Sequence, residues 1–241
     1  MSDSGAIRTE RLTVRRTALV ASLGPDGPAL ARVCELWYVL HGYAMRAVPF
    51  LESFRAIAGD TRLIVAPEAL SRFYEGTLAP GAHKDQPVVA SWMTREERDA
   101  EVADYLGYLD DLHRTMLDRF ARASAAPAAA PAAAQPAVTV LGFSQGGATA
   151  MRWVASGRVT TARLVIWGAS MPPELDYAAA ASPLRRPACT YVVGASDAYI
   201  TPKVLEVELS RLRDASFPFR QLSFDGGHRL DDEVLRGLTT P

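Results

Sequence analysis

The chain has 241 residues, of which 49% are hydrophobic and 22% charged, and its formal net charge is −1. This length suits one α/β domain around a single core, and the balanced charge excludes a global attraction to nucleic acid or to an anionic membrane. We predict a disordered N-terminus over residues 1–10 and one domain over residues 11–241.

Targeting and membrane segments are not indicated by the sequence. Residues 1–10 are polar and lack the apolar run of a secretory signal. No run of about 18 strongly apolar residues predicts a transmembrane helix. We therefore expect a cytoplasmic protein without an integral membrane segment.

Metal and disulfide chemistry are not indicated either. The two cysteines, Cys34 and Cys189, lie in strand-like apolar runs, where buried free thiols are expected. No histidine clusters with cysteines or carboxylates at metal-ligand spacing; the four are His41, His83, His113 and His228. We expect no metal site, and we interpret His83 as a solvated loop residue.

The chain opens with two β-prone runs, residues 11–23 and 29–40, separated by a segment dense in glycine and proline. This pattern predicts a hairpin. The second run ends in the continuous apolar segment 36–40, which is typical of a buried central strand. A helix is expected over residues 48–58 and a short buried strand over residues 63–66.

The middle of the chain is less regular. Residues 69–93 show no clear periodicity, and a loop of this length is a functional segment or lid, or else covers one end of the core. Thr94 and Glu97 have capping-box spacing and predict the start of a long amphipathic helix, on which we interpret His113 as structural. Residues 123–137 are nearly all alanine and proline, which predicts a surface loop.

The most informative motif follows that loop. Residues 138–141 are β-prone and lead into Gly142-Phe143-Ser144-Gln145-Gly146, after which apolar residues recur at helical spacing. A serine nucleophile needs such a strand-to-helix turn, because a strained backbone exposes its hydroxyl and glycines two residues away prevent collisions. The N–H of Gln145 then points to the place where an oxyanion would form. The alternative is a glycine-rich turn with an incidental serine.

Strand and helix patterns continue to alternate after this motif. Three more strands are predicted, over residues 162–167, 189–193 and 220–224. Helices are expected from Pro202 and from about Asp231 onward. This alternation predicts a mostly parallel sheet with helices on both faces and a ligand site at the carboxyl ends of its strands.

Three residues at those strand ends could form a catalytic triad. In this fold the order is serine, acid, histidine, and Ser144, Asp197 and His228 follow it, each after its own predicted strand. Other carboxylates could take the role of the acid. Rival carboxylates are present at Asp176, Asp225, Asp231 and Asp232.

These residues resemble the phospholipase/carboxylesterase family of α/β-hydrolases, which includes acyl-protein thioesterases. The similarity rests on Leu40-His41-Gly42, on residues 142–147, on Gly194 with Asp197, and on Gly226-Gly227-His228. It is good over residues 36–44 and 138–230 and poor over residues 45–137.

The resemblance implies a single-domain α/β-hydrolase fold and a cofactor-free enzyme that hydrolyses esters, lysophospholipids or thioesters. It also implies Ser144 as nucleophile, His228 as base and Asp197 as orienting acid. The oxyanion hole would consist of the backbone N–H groups of Tyr43 and Gln145. Two departures matter: Ala44 stands where the family usually has glycine, and the middle segment does not follow the family pattern, so substrate identity does not carry over.

Apolar residues on loops near the predicted site suggest a substrate-binding wall with few polar anchors. The candidates are His41, Met45, Phe73, Tyr74, Trp92, Met171, Tyr199 and Ile200, although some of them are expected to cap the core instead. The expected partner is therefore a small-molecule ester or thioester, and no nucleic acid. Two alternatives stay open: a peptidase or amidase with the same triad, and a non-catalytic binding protein on a hydrolase fold.

Overall fold

The described part of the protein is built from alternating strands and helices. The structure is a computed structural model and describes residues 6–76, 86–125 and 135–239. Its strands are Val20–Leu23 (β1), Glu35–Leu40 (β2), Arg62–Pro67 (β3), Ser71–Tyr74 (β4), Val88–Ser91 (β5), Ala137–Phe143 (β6), Arg163–Trp167 (β7), Ala188–Gly194 (β8) and Arg220–Phe224 (β9). Its α-helices are Ala47–Glu52 (α1), Arg98–Ser124 (α2), Gln145–Ala155 (α3), Pro202–Asp214 (α4) and Asp232–Thr239 (α5).

Seven of these strands form one sheet in the order β1-β3-β2-β6-β7-β8-β9. All neighbours pair in parallel except β1, which runs antiparallel to β3. Strand β6, which leads into the serine motif, lies at the centre. The carboxyl ends of the six parallel strands therefore meet at one edge.

The sheet is covered by helices on both faces, as predicted. Along β2, Leu36 and Tyr38 belong to one core cluster, together with side chains of α2, α3 and α4. Trp37 and Val39 belong to the opposite cluster, with side chains of α1 and α5. Both faces of the central strands are buried, which explains their continuous apolar runs.

The predicted opening hairpin is wrong. Residues 6–19 form no helix or strand, and the short β1 pairs with β3 rather than with β2. The glycine- and proline-rich segment leads into a 3₁₀ helix, Gly27–Arg32, instead of a tight turn. Because both sides of β2 are occupied by the parallel strands β3 and β6, no position is left there for β1.

The segment 69–93 is more regular than predicted. It contains β4 and β5, which form a separate antiparallel hairpin, and β5 is also bridged to Met45. Residues 77–85, and with them His83, lie outside the described residues. A four-residue strand carries too little pattern to be recognised from sequence.

The long helix α2 begins at Arg98, and the predicted capping box is wrong. Glu97 precedes the helix at φ 49°, and the Thr94 N–H donates to the Glu101 carboxylate instead. The predicted helix over residues 48–58 is also shorter, because α1 is followed by a separate 3₁₀ turn, Arg55–Ile57.

Both chain ends and the alanine- and proline-rich loop are only partly described. Residues 1–5, 126–134 and 240–241 lie outside the described residues. The one-domain organisation and the disordered N-terminus therefore stay predictions. Among the helices of the described residues, none combines the length and the hydrophobicity that a bilayer-spanning segment requires.

The two cysteines differ in environment. Cys189 is buried, and burial raises the pKa of its thiol to about 12. Cys34 is exposed, contrary to the prediction. It lies one residue before β2 begins, so it stands outside the covered part of the sheet.

His113 lies in the core, where its Nδ1 is 2.9 Å from the Tyr38 hydroxyl. Burial lowers its pKa, against the opposing effect of the Asp110 charge. The native imidazole therefore stays neutral where the unfolded one, with a pKa of about 6.5, takes up a proton. This stability contribution is complete above that pH and is lost as the pH falls below it.

We expect that His113→Gln flattens the acid side of the stability profile. The free energy of unfolding, measured in urea from pH 7.5 to pH 5, should fall less steeply in the variant than in the native protein. One histidine contributes at most about 1.4 kcal/mol per pH unit. Identical slopes would show that His113 is not protonated on unfolding in this range.

Candidate active site

Ser144 lies on a strained turn between β6 and α3. Its backbone has φ 54° and ψ −122°, a region that non-glycine residues rarely adopt. The Ser144 N–H donates to the Trp167 carbonyl at 2.8 Å, and the Ser144 carbonyl accepts from the Gly147 N–H at 2.8 Å. These bonds tie the turn to the neighbouring strand β7 and to the first turn of α3.

The glycines on either side of Ser144 allow backbone segments to approach closely. A Cβ atom on Gly142 would lie 2.1 Å from the Gly146 carbonyl oxygen. A Cβ atom on Gly146 would lie 2.1 Å from the carbonyl oxygen of Leu40. Any side chain at these positions would therefore force the strand, the turn and the helix apart.

His228 and Asp197 form a hydrogen-bonded pair at the same edge of the sheet. His228 Nδ1 lies 2.7 Å from Asp197 Oδ2. Asp197 Oδ1 accepts from the N–H groups of Tyr199 at 2.8 Å and Ile200 at 2.9 Å. Burial alone would raise the pKa of Asp197, but these N–H groups and His228 together hold it below its usual value. The ionised carboxylate favours the tautomer with the proton on Nδ1, which leaves Nε2 free to accept a proton.

The loops that carry Asp197 and His228 are connected by backbone hydrogen bonds. The Ser196 N–H donates to the Gly226 carbonyl at 2.8 Å, and the Ala195 N–H donates to the Phe224 carbonyl at 2.9 Å. Asp197 comes three residues after the end of β8, and His228 comes four residues after the end of β9. Neighbouring parallel strands thus bring together two residues that are distant in sequence. The rival Asp231 instead accepts from N–H groups at the start of α5.

The imidazole of His228 lies against two aromatic rings, with centroid distances of 4.7 Å to Phe143 and 4.6 Å to Tyr199. Phe143 directly precedes Ser144, so the histidine lies close to the turn of residues 142–146, which we call the elbow. Within the described residues no hydrogen bond joins Ser144 Oγ to His228, and such contacts are often looser without a substrate.

Gly168 lies next to the candidate site, and the sequence reasoning did not single it out. It follows β7 at φ 55°, and a Cβ atom there would lie 3.1 Å from His228 Cε1 and 3.2 Å from Asp197 Oδ2. The signal available in the sequence was its position directly after a buried strand, where glycine allows close approach.

Gln145 is the first residue of α3, so its N–H has no partner within the helix. On the other side, the segment after β2 packs against the serine, because a Cβ atom on Gly42 would lie 3.2 Å from Ser144 Cβ. Tyr43 follows Gly42. Ala44 adopts φ 57°, a conformation that glycine adopts without strain and that other residues rarely adopt.

His41 is fully buried and uses both ring nitrogens. The Ala69 N–H donates to His41 Nε2 at 3.0 Å, so Nδ1 carries the proton and donates to the Gly42 carbonyl at 2.8 Å. Burial lowers the pKa of His41, which keeps the imidazole in this neutral form.

Glu68 is a second residue that the sequence reasoning did not single out. Its side chain is fully buried and accepts from Arg46 Nε at 3.0 Å, Arg72 Nε at 2.7 Å and the Ala47 N–H at 3.2 Å. It thereby connects the start of α1 to β4. The available signal was a carboxylate directly after a buried strand, where an uncompensated charge would be costly.

The predicted substrate-binding residues fall into two groups. The buried group is at most 5% exposed and consists of His41, Trp92, Met171 and Ile200. The other group is at least partly exposed and consists of Met45, Phe73, Tyr74 and Tyr199. The exposed Tyr43 ring lies 5.5 Å from Phe73, which adds a further aromatic side chain to that group.

Metal ligands are not grouped in the described parts of the chain. Residues 6–76, 86–125 and 135–239 contain no set of three or more histidine, cysteine, aspartate or glutamate side chains that could hold a metal ion.

Comparisons with known proteins identify hydrolases of similar structure. No family profile matches the sequence, and no curated protein sequence matches it either. Acyl-protein thioesterase 2 of Zea mays has a similar structure, with a TM-score of 0.61 and 16% identity over 92% of this chain and 98% of that one. Esterase PE8 matches with a TM-score of 0.55 and 20% identity over 90% and 96% of the two chains.

A phospholipase/carboxylesterase of Dyadobacter fermentans also matches, with a TM-score of 0.59 and 13% identity over 94% of this chain and 96% of that one. These structural neighbours are esterases and thioesterases of nearly the same length. At such low identity, the matches establish the architecture. The protein therefore has the same fold as these esterases and thioesterases.

Proposed function

We propose that the protein is a serine hydrolase that cleaves carboxylic esters or thioesters through an acyl-enzyme intermediate. The observation that carries the proposal is the ionised Asp197 holding His228 at 2.7 Å, with the His228 ring packed on Phe143, the residue directly before a serine on a strained turn at φ 54°. This arrangement supplies the nucleophile, base and orienting acid that acyl transfer requires.

In the first half of the reaction, Ser144 Oγ attacks the carbonyl carbon and its proton passes to His228 Nε2. The N–H groups of Tyr43 and Gln145 donate to the oxyanion that forms, and each such donor is worth about 3 kcal/mol. Collapse of the tetrahedral intermediate breaks the bond to the alcohol or thiol, which leaves with the proton from His228. Asp197 stays ionised and stabilises the imidazolium.

In the second half, water attacks the acyl-enzyme while His228 takes its proton. The same two N–H groups hold the second oxyanion. Collapse then releases the carboxylic acid and returns the proton from His228 to Ser144 Oγ. The cycle needs no cofactor.

The substrate wall is proposed from the exposed group of side chains, Met45, Phe73, Tyr74 and Tyr199, together with Tyr43. These are apolar or aromatic and suit an uncharged acyl chain. The buried group of side chains would pack behind this wall and support it. A peptidase or amidase would use the same triad, and a binding protein would need no nucleophile, so both alternatives are tested below.

We predict that Ser144→Ala abolishes hydrolysis of p-nitrophenyl esters and labelling by a fluorophosphonate probe. Removing the nucleophile of a triad leaves only about 10³–10⁴-fold catalysis over water. The far-UV circular dichroism should stay native, because the substitution removes only a hydroxyl. Labelling that persists in the variant would remove Ser144 from the mechanism, and a native protein that is never labelled would favour the binding protein.

We predict that Asp197→Asn lowers kcat by about 10⁴-fold, because the amide no longer holds the imidazole in the productive tautomer. The matched control is Asp176→Asn. Asp176 accepts from the N–H groups of Ala178 and Ala179, which an asparagine oxygen can also do, so kcat should stay near the native value. A severe loss in the control beside a mild one at Asp197 would overturn the assignment of the acid.

We predict that kcat/KM on p-nitrophenyl esters rises about tenfold from acetate to butyrate. Each buried CH₂ contributes about 0.8 kcal/mol, and two such groups distinguish these substrates. The matching anilide and charged phosphodiesters should be poor substrates. An optimum at acetate would place the apolar side chains outside the site, and an anilide that rivals the ester would favour the amidase.

A further inference from the structure

The side chain of Gln145 makes a dense set of hydrogen bonds to the chain at the end of β5. Its Oε1 accepts from the Trp92 N–H at 3.0 Å, and its Nε2 donates to the Met93 carbonyl at 2.8 Å. Both amide atoms also lie within 3.3 Å of the buried Ser91 hydroxyl. The residue whose N–H begins α3 is therefore anchored to the segment 91–93.

Trp92 connects this anchor to the other side of the site. Its indole Nε1–H donates to the His41 carbonyl at 2.8 Å, and its ring lies 5.3 Å from the His41 imidazole. Trp92 is only 2% exposed. Its hydrogen bond is therefore shielded from water, and its position is fixed by packing.

His41 in turn orients the peptide group between Gly42 and Tyr43. Its Nδ1–H donates to the Gly42 carbonyl at 2.8 Å, and that carbonyl belongs to the same planar peptide unit as the Tyr43 N–H. Fixing the oxygen therefore fixes the direction of the N–H. The next residue is also bound, because the Ala44 N–H donates to the Ala90 carbonyl of β5 at 3.0 Å.

We propose that Gln145, Trp92 and His41 form one buried hydrogen-bond network that orients both N–H donors of the oxyanion hole. Trp92 and His41 are positioning residues in this network, and the side chain of Gln145 has the same role. The inference rests on the proposed function, since it assigns a purpose to the donors of Tyr43 and Gln145. It also explains why the hairpin of β4 and β5 lies beside the elbow.

A role of these residues in positioning the N–H donors has a different kinetic consequence from a role in contacting the substrate. Misplaced donors weaken binding of the oxyanion but leave ground-state binding unchanged. A displacement of about 1 Å in a catalytic group can cost about 100-fold in rate. Loss of a network bond should therefore lower kcat, whereas loss of a substrate contact would raise KM.

The test uses Trp92→Phe, which removes the indole N–H but keeps an aromatic ring. The matched control is Trp153→Phe, because Trp153 is fully buried on α3 and its Nε1–H donates to Asp110 at 2.9 Å. Both variants should lose comparable thermal stability. We expect kcat to fall about tenfold or more in Trp92→Phe with KM within about twofold, while Trp153→Phe keeps kcat within about twofold of native.

A trifluoromethyl ketone, which forms an anionic adduct with a serine, provides a second measurement. Its inhibition constant should rise in Trp92→Phe by about the same factor as kcat/KM falls, while inhibition by the carboxylic acid product stays unchanged. Gln145→Met should produce the same pattern, since it removes the other end of the network. Trp92→Phe decides the question if Gln145→Met fails to fold.

The outcomes separate this inference from the proposed function. Equal kcat losses in Trp92→Phe and Trp153→Phe would overturn the network, as would a rise in KM with unchanged kcat. In both cases an active native protein would leave the esterase proposal standing. A native protein that folds but hydrolyses no ester would overturn both.

Discussion

The backbone of Ser144, held at φ 54° and ψ −122°, is the constraint on which the site depends. Such a conformation persists only where the surroundings impose it. Here β6 enters from the centre of the sheet, α3 leaves at once, and the Ser144 N–H is held by the Trp167 carbonyl. The turn is possible because Gly142 and Gly146 lie where a Cβ atom would meet backbone at 2.1 Å. Packing of the whole sheet therefore stabilises one unfavourable residue.

Buried polar groups around this turn are paired rather than left to solvent. Asp197 accepts from two N–H groups and His228, Glu68 accepts from two arginines, and His41 uses both ring nitrogens. An unpaired group in such a place would cost about 1–3 kcal/mol, and a charged group more. Three of these pairings join segments that are far apart in sequence, namely His228 with Asp197, Arg46 with Glu68, and the Ala69 N–H with His41. These bonds therefore also fix the loops that surround the serine.

The residues of the core and the residues of the candidate site lie in different parts of the fold. The buried apolar side chains of the strands and helices belong to two core clusters on opposite faces of the sheet. The segments that follow the carboxyl ends of the strands carry the proposed triad and donors. The hairpin of β4 and β5 adds a support outside the main sheet, bonded both to the segment after β2 and to α3. Changes in the outer loops can thus be tolerated without disturbing the core.

Residue type and local spacing were sufficient to predict the elements that depend on neighbouring residues in the sequence. The apolar runs of β2, β3, β6, β7 and β8, the glycines of the elbow and the strand-end positions of Ser144, Asp197 and His228 all followed from residue type and spacing. Partners that are distant in sequence did not follow. The opening run pairs with β3 because β2 is already occupied on both sides. Thr94 bonds to Glu101 rather than closing a box with Glu97. His41 and Trp92 are buried because tertiary contacts provide their hydrogen-bond partners. The sequence by itself determined at which residue a nucleophile could lie, since a strained turn requires glycines on either side of that residue. Only the tertiary structure decided what lies around that nucleophile, because those contacts depend on how separate strands pair and which loops then meet.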